Sequence, residues 1–297
     1  MATRSSKRHV LSVSRRSDIP AHYLDWFMDS VAAGEALVDH PYTGETRRVA
    51  LTPESVHTLV FWTKDIGPFL KRGCDDSLRK KGFHLYFNLT VNSTDRLLEP
   101  GVPPLDRRLE AMAELCRRVG PDAVAWRFDP ICHYRDATGT PCDNLHDFSR
   151  IAKAARDAGI RRCITSFADL YPKVVRRCRA AGIELTDPPI HEKVAVALRL
   201  NRELQALDID LFTCCENALQ DALPFGSGIT PSACIPGPLL AGLYGGDLSL
   251  ARDSGQRKEA GCRCTQSKDI GSYTRHPCPT GCLYCYASSA KAPAPKA

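Results

Sequence analysis

The chain has 297 residues, 43% of them hydrophobic and 25% charged, with a formal net charge of +6. That length and balance suit an ordinary globular protein whose core needs no disulfide staples. Five of the six net positive charges belong to Arg4, Lys7, Arg8, Lys291 and Lys296 near the two ends, which leaves a near-neutral body with scattered arginine pairs and weighs against nucleic acid as a partner.

The first two thirds alternate between strand-like and helix-like runs. Strands are predicted at "HVLSVS" (9–14), "HTLVFWT" (57–63), "FHLYFNLTV" (83–91), "AVAWRF" (123–128), "RCITSF" (162–167) and "IDLFTC" (209–214). Helices are predicted between them. Asp18 and Pro20 open one that stops at Gly34, a weaker one covers 67–81, and Leu105, Leu109, Met112, Leu115, Cys116 and Val119 mark an amphipathic one ending at Gly120. Others follow at 145–158, 172–181 and 190–207. Residues 218–261 are rich in Gly and Pro and predict irregular structure with one short helix after Pro238.

Six β-then-α repeats predict a parallel sheet with helices outside it. The fold expected is a (β/α)6 partial TIM-type barrel over residues 1–217, with residues 218–297 as an irregular, cysteine-rich segment covering its mouth; an open doubly wound sheet is the rival. The barrel is preferred because polar residue types recur where each strand ends, and barrel strand ends converge on one mouth. The cover is expected to lie on a body that folds without it.

Alternation assigns the faces. In 83–92, Phe83, Leu85, Phe87, Leu89 and Val91 share one side of the strand; in 123–129, Val124, Trp126 and Phe128 do so, leaving Arg127 and Asp129 on the other. Arg127 and Asp129 are therefore candidate catalytic residues at the mouth, together with Glu216 at the end of the last strand. The simpler alternative makes Arg127 and Asp129 an internal ion pair.

Fourteen cysteines are distributed unevenly: six lie before residue 214 and eight within 214–285. In a reducing compartment such crowding points to metal ligation rather than disulfides. The polar, basic start is no secretory signal and no run of eighteen apolar residues is present, so the cytoplasm is the expected location and no membrane is expected. Thiolates select zinc, copper(I) or iron–sulfur clusters. Cys278, Cys282 and Cys285, at C-x3-C-x2-C spacing, suit three corners of a [4Fe–4S] cube with one iron left open. Cys214, Cys234, Cys262 and Cys264 form a candidate auxiliary cluster site, Cys214 being preferred to Cys215 on strand parity.

"CPTGCLYC" matches the signature of radical S-adenosylmethionine (SAM) enzymes, and "YCYA" resembles spore photoproduct lyase-type members. With "SVSRRSDIPA", "VFWTKD", "WRFDP" and "CRCTQSKDIGSY", nearly the full length resembles a bacterial domain-of-unknown-function family related to them. The resemblance implies that Cys278, Cys282 and Cys285 ligate the SAM-binding cluster and that Tyr284 lies against the adenine. It also implies reductive SAM cleavage to a 5′-deoxyadenosyl radical that acts on a small molecule or modified biopolymer, with an electron donor such as flavodoxin or ferredoxin. Arg15, Arg16 and Lys64 are further candidates for holding SAM or an anionic substrate. The sequence departs from the pattern in placing the cysteine loop at the end of the chain rather than after the first strand, and in lacking a Gly-Gly-Glu segment. A non-catalytic iron–sulfur electron carrier and a structural zinc protein are the competing expectations.

Overall fold

The structure is a computed structural model that describes residues 8–39, 43–255, 257 and 259–287. Arg4, Lys7, Lys291 and Lys296, the terminal charges noted above, lie outside the described residues. Eight parallel strands form the main sheet: β1 (His9–Val13), β2 (Val56–Thr63), β3 (His84–Thr90), β4 (Val124–Ile131), β5 (Arg162–Phe167), β6 (Asp210–Thr213), β7 (Thr230–Pro231) and β8 (Ser267–Asp269). Their order is β7-β6-β5-β4-β3-β2-β1-β8.

The expected (β/α)6 partial barrel is corrected by this order. The sheet is open and has eight strands rather than six. Closure would join β1 to β6, but both of those edges are taken: β8 pairs with β1 and β7 with β6. The segment after residue 217 therefore lends two strands to the sheet as well as lying over it. Two small antiparallel sheets that the sequence did not suggest flank it, Glu35–Asp39 with Thr46–Ala50, and Glu184–Thr186 with His133–Arg135 and Pro141–Asp143.

Local signals set the elements as expected in most places. Asp18 caps Ile19–His22 by accepting a hydrogen bond from the Ala21 N–H (3.1 Å). The predicted long helix breaks at Tyr23 and resumes as Leu24–Ala33, ending at Gly34 in the left-handed conformation (φ 72°). The 67–81 prediction likewise resolves into Gly67–Lys71 and Cys74–Lys80, separated at Gly73 with φ 62°. Helices Leu105–Val119, Phe148–Asp157, Pro172–Ala180 and Ile190–Gln205 follow, and Gly237–Tyr244 is the short helix of the Gly/Pro-rich stretch. Among the described residues no helix is long and apolar enough to cross a membrane.

The sheet separates two cores. Phe61, Phe87, Trp126 and Phe128 pack with Phe27, Met112 and Phe148 under the helices. On the opposite face, Val10, Val60, Tyr86, Ala125 and Ile164 pack against Ile235, Leu240, Leu248 and Cys264. That second layer fills the part of the face near the strand starts. It leaves the C-terminal strand ends open to a cavity of about 300 Å³.

Candidate active site

One cavity gathers most of the candidate residues. Its walls include Arg15, Arg16, Lys64, Arg127, Asp129 and Tyr284, together with Cys278, Cys282 and Cys285 and, from other segments, Cys214, Cys234, Cys262 and Cys264. Glu216 is placed elsewhere: its carboxylate accepts the Phe167 N–H at 2.7 Å. Burial pushes Glu216 up to about 7.

The cysteine loop is held by backbone contacts from several elements. The Tyr23 hydroxyl donates to the Pro277 carbonyl (2.5 Å), the Gly101 N–H to the Thr280 carbonyl (3.1 Å) and the Leu283 N–H to the Leu98 carbonyl (2.9 Å). Arg177 donates to the carbonyls of Leu283 (2.6 Å) and Cys285 (2.5 Å). Leu283 is buried beside Leu98, Cys132, Val174 and Cys178, which pins the loop centre. Gly281, at φ 74°, supplies the left-handed step just before Cys282. The three thiols are thus left facing the cavity while the loop backbone is spoken for.

His22 joins this loop without any sequence signal. Its Nε2 lies 2.9 Å from Thr280 Oγ1, which accepts the Cys278 thiol at 3.3 Å. Burial would lower the His22 pKa, but its hydrogen bond with Cys278 and the charge of Asp18 raise it.

Beneath the loop runs a buried polar network. The Tyr284 hydroxyl donates to Glu99 and accepts from Asn92 Nδ2 at 3.2 Å. Lys64 Nζ is 2.9 Å from Glu99 Oε1 and 5.4 Å from the Tyr284 ring centroid. Burial would depress the Lys64 ammonium, but Glu99 and Cys282 hold it above its ordinary value. Lys64 thus has a carboxylate partner inside the protein. Glu99 belongs to no motif, and only the tertiary meeting with Lys64 and Tyr284 reveals it.

Arg127 and Asp129 form the ion pair of the simpler alternative, and the pair lies at the cavity. Arg127 Nη2 lies 2.6 Å from Asp129 Oδ2, and both side chains line the cavity. Ser166 donates to the other Asp129 oxygen, and Arg127 Nη1 points at Cys234 Sγ (3.5 Å). Burial opposes the Arg127 charge, but Asp129, Cys234 and Cys214 hold its pKa well above the ordinary value.

Arg15 and Arg16 are fixed by Asp269 of β8. Asp269 accepts from Ser12 (2.6 Å), Ser14 (2.7 Å) and the Arg15 N–H (2.9 Å). Arg15 Nη2 reaches Ser267 Oγ (3.0 Å), and Arg16 donates to the Gly271 carbonyl (2.8 Å). Gly271 is obligatory here, since a Cβ would fall 1.9 Å from Ser14 Oγ. The "SVSRRSD" and "SKDIG" motifs are therefore two halves of one corner.

The other cysteines form a nest of five. Cys214 and Cys234 have their sulfurs 3.5 Å apart. Cys262 and Cys264 line the same cavity as this pair. Cys215, passed over on strand parity, lines the cavity too. Its φ of 60° ends the alternation of β6 and turns it back toward Cys214. Among the described residues, no three His, Cys, Asp or Glu side chains already converge to hold a single metal ion.

The family model of a domain of unknown function, DUF1848, matches residues 10–287, and the chain belongs to that family. No curated protein and no solved structure matches it.

Proposed function

We propose that this protein is a radical SAM-type enzyme in which Cys278, Cys282 and Cys285 hold a [4Fe–4S] cluster and the adjoining cavity takes SAM and substrate. The observation that carries the reading is the presentation of three thiols from one backbone-anchored loop to a cavity that also contains the Arg127–Asp129 pair. The donor set fits the group: three soft thiols with no carboxylate or imidazole among them leave one corner of a cube for a small-molecule chelator. Of the other cavity cysteines, Cys214 and Cys234 face each other with their sulfurs 3.5 Å apart.

When bound, the cluster and SAM supply one-electron cleavage of the sulfonium and, through it, hydrogen abstraction from an unreactive C–H bond. The chain's own residues orient and shield. Tyr284, fixed by Glu99 and Asn92, lines the cavity. Arg127 and Asp129 present a paired cation and anion able to orient a zwitterionic or polar group. Lys64, neutralised by Glu99, supports the loop from below and is not a free anion site. An electron carrier has little use for a cavity lined in this way, which favours an enzyme. Reduced thiols suit a cytoplasmic setting, with a one-electron donor such as flavodoxin or ferredoxin as partner.

The test is anaerobic reconstitution with iron, sulfide, dithionite and SAM, followed by assay for 5′-deoxyadenosine. The wild-type protein should be brown and should form it. The variant with Cys278, Cys282 and Cys285 all changed to Ala should not. A colourless, zinc-loaded protein, or equal product from the triple variant, would falsify the reading.

A further inference from the structure

The five-thiol nest calls for an explanation separate from the cysteine loop. Its members come from three places in the chain: the end of β6 (Cys214, Cys215), the approach to Gly237–Tyr244 (Cys234), and the approach to β8 (Cys262, Cys264). Consecutive residues of an extended strand point to opposite sides. Cys215 escapes that rule through its left-handed backbone, one of two such conformations at non-glycine residues among those described. A non-glycine residue held there costs about 1–3 kcal/mol, and such strain collects at functional sites. Both residues of the Cys214–Cys215 pair line the same cavity.

The other segments are fixed with similar closeness. Gly261 (φ 84°) packs against Asn217 so tightly that a Cβ would sit 1.9 Å from Asn217 Oδ1, which sets the direction in which Cys262 enters. The Ile235 N–H points at Cys264 Sγ (3.4 Å) and the Thr265 N–H donates to the Ile235 carbonyl (3.1 Å), tying the Cys234 and Cys264 segments together. Charge is balanced from the sheet. Arg127 Nη1 lies 3.5 Å from Cys234 Sγ, and Arg15, anchored by Ser267, lines the same cavity.

We infer that Cys214, Cys215, Cys234, Cys262 and Cys264 form a second metal centre, an iron–sulfur cluster held by four of these thiolates with the fifth as a hydrogen-bonding neighbour, facing the cavity across from the C-terminal loop. The donor set is all sulfur, which restricts the metal to zinc, copper(I) or iron–sulfur. The nest opens onto a cavity, whereas structural zinc sites are closed. The centre shares no ligand with the loop, so it stands whether or not the loop binds SAM.

The experiment uses the full chain, purified anaerobically, with iron, acid-labile sulfide and zinc measured per chain. Wild type should carry roughly eight irons, and Cys262→Ser/Cys264→Ser roughly four. The loop triple variant should also retain roughly four, with an electron paramagnetic resonance signal that SAM does not shift. That second variant leaves the nest intact and so answers the question even if the first fails to fold. Zero iron in the loop triple variant, one zinc per chain, or nest cysteines recovered as disulfides by mass spectrometry would each overturn the inference. Failure of the radical SAM reading alone would look different: no 5′-deoxyadenosine, but the nest iron still present.

Discussion

The two faces of the sheet are made by the same strands, yet they do different work. On the helix side, Phe61 stacks on Phe87 at 5.0 Å between ring centroids and Trp126 tilts over Phe148 at 5.4 Å. The Trp126 N–H donates to the Val91 carbonyl at 2.9 Å. On the cavity side, the residues one position along are Asn88, Arg127 and Asp129. Each is buried or half-buried and each needs a partner: Asn88 donates to the Cys234 carbonyl (3.1 Å), Arg127 to Asp129, and Asp129 takes Ser166. Burying apolar surface stabilises, whereas burying charge costs free energy that pairing only partly returns. The helix side therefore holds the fold, and the cavity side is where the fold tolerates cost for the sake of chemistry.

The largest effect should come from removing the part of the cavity layer that is also part of the sheet. A chain ending at Ala260 loses β8, exposes the β1 edge and removes Asp269 from Ser12, Ser14 and Arg15. We expect it to be insoluble or to lose its cooperative unfolding transition in urea. A sharp transition with wild-type helical circular dichroism would mean that residues 261–297 are a detachable cover, and the contrast between the faces would become one between domains.

Single changes on each face should separate stability from function. Trp126→Ala, on the helix side, should cost about 3–5 kcal/mol in urea unfolding while the folded fraction keeps its iron content. A normal midpoint would deny that this face carries the fold. Arg127→Met leaves Asp129 without its cation and should cost about 3 kcal/mol, toward the low end for a broken buried pair because Asp129 keeps some solvent. Adding Asp129→Asn should restore most of that stability while 5′-deoxyadenosine formation stays at least tenfold down. Recovery of activity along with stability would reduce the pair to a structural ion pair.

The helix side was the more legible of the two in the sequence, for a physical reason. Alternation over five to eight residues sets which side chains share a face, and it placed Trp126 and Phe87 against helices and Arg127 and Asp129 away from them. Sheet closure was misread because the edges are decided by Thr230–Pro231 and Ser267–Asp269, two and three residues long, with no period to read. Parity misjudged Cys215 because a left-handed residue ends the strand pattern. Parity likewise sent Glu216 to the mouth, whereas it caps the Phe167 N–H. His22 and Glu99 belong to no motif; they are brought to the loop only by tertiary packing.

The finest distinction concerns how the loop is seated, and Gly101 tests it. Gly101 does not sit in the left-handed region, so its backbone would accept alanine, and any effect must come from the new methyl group. That Cβ would fall 2.4 Å from the Thr280 carbonyl oxygen and 3.0 Å from Thr280 Cα, which are backbone atoms with no side-chain freedom to yield. Thr280 lies between Cys278 and Cys282, and its hydroxyl holds both His22 and the Cys278 thiol. Gly101→Ala should therefore push the loop rather than the sheet. Overpacking of this kind costs about 1–3 kcal/mol, and most of it should be absorbed by local displacement of the loop. The expected outcome is a urea midpoint close to wild type, loss of loop-held iron, and 5′-deoxyadenosine formation reduced about tenfold, a barrier increase of about 1.4 kcal/mol. A collapse of the unfolding midpoint would place the loop within the cooperative core. Unchanged iron and unchanged product would show that Thr280 does not set the geometry of the three thiols.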